Sequence, residues 1–214
     1  MASATATVPP TTVQRLPVYL RCLIQAQAMR MPVVNSVQIA EMAGTNAAQV
    51  RKDLSYLGEF GTRGVGYDVE SLITHLSRRL GIAEQRRVAI VGYGRLGSAL
   101  QGYHGFDERG MKVVAVFDAD PAKVGGSADG LTIEHVDRLE SVIEREQVEI
   151  AVLTVPGPAA RAVADRVVAA GVRAIMNFAP VRLIVPDDVT VRQADMAAEL
   201  QILAFHLNPS EAMG

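Results

Sequence analysis

The sequence predicts an α/β chain in two parts, a small helical domain with a hairpin and then a parallel sheet flanked by helices. Up to about residue 80, apolar residues recur at the three- and four-residue steps of amphipathic helices. From Arg87 onward, short β-branched runs alternate with helical segments, which is typical of a parallel sheet covered on both faces. We therefore expect four segments: a disordered tail at 1–10, domains at 11–81 and 82–193, and a C-terminal helix and tail at 194–214.

The composition is that of a folded chain without membrane or metal partners. Hydrophobic residues make up 49% of the 214 residues, enough to fill a core. No apolar run approaches the roughly 18 residues needed to cross a bilayer, and residues 1–14 lack a secretory leader pattern. The single cysteine, Cys22, cannot form an internal disulfide or a cysteine metal cluster, and we expect it to pack inside a helix. These features favour a soluble, cytoplasmic protein.

Charge is distributed unevenly between the two parts. Residues 1–80 carry eight Lys and Arg against five Asp and Glu, a net charge of +3. Residues 81–214 carry 13 Lys and Arg against 18 Asp and Glu, a net charge of −5. If one part binds a polyanion, the first part is favoured.

The first domain has the pattern of two helices joined by a tight turn. An amphipathic helix over 12–30 comes first, and a short helix and a third helix follow it. Side chains that can cap these helices, and a glycine that can end the second in the left-handed conformation, stand at the expected places. They are Asn35 or Ser36, Gly44, and Thr45 or Asn46. Helix, glycine turn and helix together predict a helix-turn-helix.

A glycine-rich segment, GEFGTRGVGY at 58–67, follows the third helix. Four glycines in ten residues predict a tight hairpin, with Arg63 at its centre. One more amphipathic helix over 69–80 ends at Gly81. A hairpin in this position is a wing, so residues 11–81 are expected to form a winged helix.

The third helix and the wing are the predicted DNA-binding elements. In a helix-turn-helix the second helix of the pair enters the major groove, where Arg51 or Lys52 could contact guanine edges or phosphates. Arg63 could reach a minor groove or a phosphate. The alternative is that Arg51, Lys52 and Asp53 form a solvated helix face. The predicted DNA-binding residues are Gln49, Arg51, Lys52, Ser55, Tyr56 and Arg63.

The strongest chemical signal is GYGRLG at 92–97, directly after the apolar run RVAIV and at the start of a helical segment. An acidic residue, Asp118, ends the next strand-like run, 21 residues past Gly97. Strand, glycine turn, helix and acidic residue in this order are the fingerprint of a Rossmann dinucleotide site. Gly92 makes the tight turn, Gly94 lets the backbone approach the pyrophosphate, and Gly97 lets the helix pack on the strand.

Asp118 is expected to select NAD(H), because it can accept hydrogen bonds from the adenosine ribose and would repel the 2′-phosphate of NADP. Two further strand ends, LTVP at 153–156 and NFAP at 177–180, would lie near the nicotinamide. Neither offers a catalytic acid or base, and His104 is better explained as a surface residue, so we predict no catalytic residues. The predicted cofactor-binding residues are Gly92, Tyr93, Gly94, Arg95, Leu96, Gly97, Asp118, Lys123, Thr154, Val155, Pro156, Asn177 and Phe178.

From about residue 11 to 209 the chain resembles the Rex family of bacterial redox-sensing repressors. The resemblance lies in the strings RLPVYLR, QVRKDLSYLGEFGTRGVGY, VAIVGYGRLGSAL, FDADPAKVG, LTVP, NFAP and VRQADMAAELQ. It implies a homodimer whose affinity for operator DNA falls when NADH binds, with NAD+ competing for the site as the other effector. NADH and NAD+ would act as effector ligands and not as redox coenzymes. Two-fold symmetry would match an inverted-repeat operator of double-stranded DNA.

The resemblance also implies a C-terminal helix exchanged between subunits. An apolar stripe of Met196, Leu200, Leu203 and Leu207 agrees with this, although such a stripe more often marks ordinary packing. It further implies a polar switch, in which Asp195 changes partners between Arg21 and Tyr103.

Two other functions remain open from the residues alone. The first is a small NAD-dependent oxidoreductase with an N-terminal helical appendage, which would need an acid or base beside LTVP or NFAP. The second is a DNA-binding protein whose Rossmann domain holds CoA or an adenine nucleotide, or serves only in dimerisation.

Overall fold

A computed structural model of the chain describes residues 8–58, 60–62 and 65–207. The chain divides into two compact units between Glu84 and Gln85, and each unit is described by itself. The sequence places the division at 81/82, three residues earlier.

The first unit contains four helices and a small antiparallel sheet in its described residues. The elements are α1 (Pro10–Ala28), β1 (Val33–Val34), α2 (Ser36–Ala43), α3 (Ala47–Ser55), β2 (Gly61–Thr62), β3 (Gly66–Asp68) and α4 (Val69–Arg79). The strand order is β1-β3-β2. The pairing of β2 with β3 confirms the hairpin, whereas β1 is a two-residue strand that shows no alternation in the sequence. Arg63, at the centre of the predicted hairpin, lies outside the described residues.

Local capping explains where α2 and α3 begin. The Asn35 side chain accepts hydrogen bonds from the backbone amides of Val37 and Gln38, and Gln38 completes a capping box. Gly44 ends α2 at φ 66°, as expected for a left-handed stop. The Asn46 side chain caps α3, accepting from the backbone N–H of Gln49 at 2.8 Å. Both caps confirm residues named from the sequence.

The core of the first unit is an apolar cluster that joins all four helices. Tyr19 and Leu23 of α1 are among its largest fully buried side chains. Cys22 of the same helix is also buried, as expected. Ile24 of α1 is about half exposed at 48%, although its apolar side chain is adjacent in sequence to the buried Leu23. The helix also begins at Pro10, one residue inside the predicted tail, because a proline fits the first turn of a helix.

The second unit is a seven-stranded sheet with helices. Its elements are β4 (Arg86–Val91), α5 (Arg95–Gln101), β5 (Met111–Asp118), β6 (Ser127–Ala128), β7 (Leu131–His135), α6 (Leu139–Arg145), β8 (Ile150–Leu153), α7 (Gly157–Ala169), β9 (Ala174–Asn177), β10 (Thr190–Gln193) and α8 (Met196–Leu207). Short 3₁₀ turns cover Asp107–Arg109 and Val136–Arg138.

The strand order is β10-β9-β8-β4-β5-β7-β6, and all pairs are parallel except β6 with β7. Without β6, this is the doubly wound Rossmann strand order. Successive strands are added on one side of β4 up to β7 and on its other side from β8 onward, so the switch point lies between β4 and β8. A ligand crevice forms at such a switch point, at the carboxyl ends of the strands. The sequence prediction missed β6 and β7, because LTIEH in β7 carries only two apolar aliphatic residues.

The C-terminal helix α8 has no buried residue. The four residues of its predicted stripe are between 60% and 80% exposed. No helix among the described residues combines the length and apolarity that crossing a membrane requires.

Candidate nucleotide site and nucleic-acid interface

The glycine turn after β4 is packed so closely that two of its glycines cannot carry a side chain. A Cβ on Gly97 would lie 1.9 Å from the carbonyl oxygen of Gly92. Gly92 has φ 101°, and its own Cβ would lie 2.9 Å from the backbone of Thr154. The Thr154 hydroxyl donates to the Gly92 carbonyl at 2.7 Å. The turn is therefore fixed between α5 and the segment that follows β8.

Gly94 differs from these two glycines, because a Cβ there would meet nothing within 4 Å. It borders a cavity of about 800 Å³ that lies at the carboxyl ends of the strands. A side chain at Gly94 would therefore clash with an occupant and not with the protein. Close approach of backbone to a pyrophosphate requires this arrangement, so the residues present fit a dinucleotide.

Seven of the predicted cofactor-binding residues line the cavity. They are Gly92, Gly94, Asp118, Lys123, Thr154, Val155 and Pro156. Eight further lining residues were not predicted: Val91, Ala119, Asp120, Val136, Ala159, Ala162, Val163 and Arg166. Four of these lie on α7, and three of the four have small side chains. A run of small residues directly after LTVP is the signal that sequence reasoning overlooked.

Asp118 is held by three donors at the end of β5. One carboxylate oxygen, Oδ2, accepts from the backbone N–H of Tyr93 at 2.7 Å and from Lys123 Nζ at 3.0 Å. The other, Oδ1, accepts from the backbone N–H of Asp120 at 2.8 Å. Burial alone would raise the pKa of Asp118, but these hydrogen bonds outweigh it and lower the pKa below its ordinary value.

These contacts limit what Asp118 can offer to a ribose. A carboxylate has about four lone-pair sites, and three are occupied here, which leaves one on Oδ1. Asp118 can therefore accept one hydroxyl donor, and the Lys123 ammonium lies 3.0 Å from its other oxygen. Lys123 also offsets much of the negative charge that was expected to repel a 2′-phosphate.

The remaining predicted cofactor-binding residues do not border the cavity. Asn177 is fully buried, and its amide donates to the carbonyls of Ala179 and Val181 and to Gln193 Oε1 at 2.8–3.3 Å. Phe178 packs against a cluster around Ile90. These two side chains hold the loop after β9 together. Tyr93 packs against the Val116 cluster, Arg95 and Leu96 are exposed, and Gly97 lies beneath the turn.

The predicted recognition helix α3 presents a charged outer face. Arg51 and Lys52 are exposed, and Arg51 Nη1 donates to Ser36 Oγ at 2.9 Å. Ser55 is exposed and Tyr56 is half-buried at the end of the helix. Gln49 is half-buried, with its amide donating inward to Asp53 Oδ1 at 2.9 Å.

Asp53 does not belong to a solvated helix face, which corrects that alternative for this residue. Its side chain is fully buried and joins α3 to α1. The carboxylate accepts from Thr12 at 2.8 Å, from Arg15 at 2.6 and 2.8 Å, and from Tyr19 at 2.7 Å. Burial alone would raise the pKa of Asp53, but these donors lower it well below its ordinary value. Burial and the bond to Asp53 raise the pKa of Tyr19 to about 12.

The three residues of the predicted switch have other surroundings in this structure. Tyr103 Oη accepts from Arg109 Nη1 at 3.0 Å. Asp195 is exposed and caps α8, accepting from the backbone N–H of Ala198 at 3.0 Å. Arg21 is exposed on α1. Over the described residues there is no group of three or more His, Cys, Asp or Glu that could hold a metal ion.

The fold and these sites define a class of protein: a chain that joins a winged helix to a Rossmann unit with a cavity beside its glycine turn. Family models agree with each part. Residues 7–55 match "Putative DNA-binding protein N-terminus", and residues 83–181 match "CoA binding domain".

Relatives extend the match to nearly the whole chain. The redox-sensing transcriptional repressor Rex of Streptomyces avermitilis is 52% identical over 93% of this chain and 79% of its own length. The protein of the same name from Desulfitobacterium hafniense is 44% identical over 97% of this chain and 99% of its own length. The chain belongs to the Rex family of transcriptional repressors.

Solved structures of a Rex-family repressor called RSP have the same fold. RSP in complex with β-NAD+ and operator DNA has a TM-score of 0.91, 33% identity, and coverage of 96% of this chain and 95% of that one. RSP in complex with β-NADH has a TM-score of 0.86 and 32% identity, with coverage of 96% and 97%.

Proposed function

We propose that this protein is a repressor that binds operator DNA and leaves it when NADH binds, with NAD+ competing for the same site. The names of the relatives support this function, and so do the operator, NAD+ and NADH in the RSP complexes. The observation in this chain that carries the proposal is the cavity in which Gly94 faces open space beside the restrained Asp118 carboxylate. Ligand and DNA would each favour a different arrangement of the protein, so each weakens binding of the other by an equal factor.

The cavity lining combines four charged residues with a larger uncharged remainder. Asp118, Asp120, Lys123 and Arg166 are the charged lining residues, and the other eleven carry no charge. We assign the adenosine ribose to Asp118 and Lys123, and the pyrophosphate to the backbone around Gly94. An uncharged surround favours neutral dihydronicotinamide over the cationic pyridinium, because an unpaired charge is costly to desolvate.

We propose that no bond is made or broken in this site. Asp118 is paired with Lys123, and Arg166 donates to both carboxylate oxygens of Glu140 at 2.6 Å, so neither pair is poised to transfer a proton. This disfavours the oxidoreductase alternative. The RSP complexes with NAD+ and NADH likewise favour a dinucleotide over CoA. A repressor acts on the chromosome, so we place the protein in the cytoplasm.

Asp118→Ala is expected to weaken NADH binding at least about tenfold while operator binding is retained. One hydrogen bond to a charged group contributes about 1.5–3 kcal/mol, and about 1.4 kcal/mol is a factor of ten. The measurement is NADH titration by fluorescence, followed by release of operator DNA at fixed salt. Asp165→Ala is the matched control, because Asp165 is exposed on α7 and does not line the cavity. An unchanged NADH response in the Asp118 variant would refute the site assignment.

We also propose that the protein is a homodimer in which α8 packs on the partner subunit in exchange for the partner's helix. Apolar side chains that are 60–80% exposed on a helix without buried residues favour an interface. Residues 11–81 and 82–193 are the proposed DNA-binding and nucleotide-binding domains, with 194–214 as the exchanged segment. Arg21, Tyr103 and Asp195 remain a proposed switch between subunits.

Leu200→Glu with Leu203→Glu is expected to convert the dimer to monomer at micromolar concentration, because two carboxylates would be buried unpaired in the interface. Sedimentation velocity measures the mass. The control is Gln201→Glu, which adds a negative charge to the same helix outside the stripe. A dimer that survives the double substitution would show that α8 is not the interface.

A further inference from the structure

One edge of the Arg15 guanidinium on α1, formed by Nε and Nη2, is hydrogen-bonded to Asp53. Its Nε donates to Asp53 Oδ2 at 2.6 Å, and its Nη2 donates to Asp53 Oδ1 at 2.8 Å. The Asp53 side chain is completely buried, whereas the Arg15 side chain is 32% exposed. This forked pairing uses two of the five N–H groups of the guanidinium and leaves Nη1 on the opposite edge.

Hydrogen bonding links Arg15 to the first turn of α3 through the carboxylate of Asp53. Gln49 donates to Asp53 Oδ1, the same oxygen that accepts from Arg15 Nη2. Gln49 belongs to the first turn, because its backbone N–H is the one that the Asn46 cap accepts. The N-terminal residues of a recognition helix are the ones that meet base edges, and phosphates flank them on the duplex. Arg15 therefore shares an acceptor with Gln49, a residue at the end of α3 that approaches DNA.

The pairing also restricts how Arg15 can move. A long side chain normally loses rotamer freedom when it binds a ligand, but the fork on Asp53 has already fixed the guanidinium plane. Gln49 is restricted in the same way, because its amide points inward to Asp53. The hydrogen bonds to Asp53 thus fix the positively charged guanidinium of Arg15 beside α3. They also turn the side-chain amide of Gln49 away from base contacts.

We propose that Arg15 is a DNA-backbone ligand of the winged helix, donating from Nη1 to an operator phosphate beside the first turn of α3. Asp53 is its positioning residue. This inference rests on the proposed function, since it assumes that α3 docks on operator DNA.

The test compares salt dependence of operator binding in the full-length protein and in Arg15→Gln/Asp53→Asn. The double substitution removes one positive and one negative charge, so the net charge is unchanged, and two amides can still bond to each other. Log Kd is measured against log salt concentration. Each phosphate contact contributes about 0.9 to the slope, so the slope is expected to fall by about 1.8 for two subunits.

The matched control is Arg173→Gln/Asp188→Asn, which neutralises a surface ion pair of 2.8 Å in the second unit. We expect its slope to equal that of the unchanged protein. A slope that stays unchanged in the Arg15→Gln/Asp53→Asn protein, with operator still bound, would overturn the proposal. If the unchanged protein itself does not bind operator, the proposed function fails instead.

A second measurement keeps the proposal testable if the double variant does not fold. Arg15→Lys retains the charge beside Asp53 but loses the fork. Operators carrying a single neutral methylphosphonate are scanned with both proteins. We expect one position in each half-site where the substitution weakens binding of the unchanged protein at least threefold and has no further effect on Arg15→Lys. Additive effects at every position would contradict a contact from Arg15.

Discussion

Gly97→Ala is expected to weaken NADH binding at least about tenfold and to destabilise the second unit. A Cβ at this position would stand 1.9 Å from the Gly92 carbonyl oxygen. Gly92 cannot retreat, because it already packs against the Thr154 backbone and accepts the Thr154 hydroxyl. The turn must open, which displaces the backbone that would hold the pyrophosphate. Overpacking of this kind costs about 1–3 kcal/mol, and we expect a comparable or larger loss in NADH binding.

Thermal unfolding and NADH fluorescence together measure the two effects of Gly97→Ala. Gly102→Ala is the neutral control, because its Cβ would make only an ordinary 3.8 Å contact with the Ser98 carbonyl. Gly94→Ala separates the effects, since it should leave stability unchanged and weaken NADH binding by occupying the cavity. Wild-type NADH affinity in Gly97→Ala would refute the proposed role of the turn.

Asp53→Ala is expected to cost about 2–6 kcal/mol of stability, because the buried Thr12 and Tyr19 hydroxyls each lose their acceptor at about 1–3 kcal/mol. The substitution leaves Arg15 unpaired and takes away the acceptor of the Thr12 and Tyr19 hydroxyls. Operator binding should be lost, because α3 is no longer tied to α1. Chemical denaturation measures the stability, and NADH binding by the second unit should persist.

The pH dependence of stability tests the same group of hydrogen bonds to Asp53. The pKa of Asp53 is lowered in the folded protein, so its contribution is complete above its unfolded pKa of about 3.9 and declines as the pH falls below it. Tyr19, with a pKa raised to about 12, contributes below pH ~10 and loses that contribution as the pH rises towards 12.

Two comparisons separate the contribution of the charge of Asp53 to stability from that of a single hydrogen bond. Thr12→Val removes a single hydrogen bond to Asp53 and should cost about 1 kcal/mol. The difference in stability between Asp53→Asn and the unchanged protein should be smaller at pH 3 than at pH 7. An equal difference at both pH values would show that the charge of Asp53 contributes nothing.

The sequence by itself determined the features whose partners lie close along the chain. The caps Asn35 and Asn46 and the stop at Gly44 each act within one helical turn, so their residue types carry the prediction. The glycine turn at 92–97 and the acidic end of β5 are also set by spacing within one βαβ unit. Fold class, the hairpin and most of the parallel strands followed from such short-range patterns.

The tertiary structure decided the features that depend on distant partners. Asp53 has the pattern of an exposed helix residue, and its burial is set by donors 34, 38 and 41 residues away on α1. Asn177 belongs to a motif that suggests ligand contact, but its amide is taken up by its own loop and by Gln193. A buried polar group must find partners, and those partners are specified by packing and not by spacing along the chain. Hydrophobic periodicity reports which face of an element is buried, but only the assembled fold shows which polar groups are left to bind DNA or NADH.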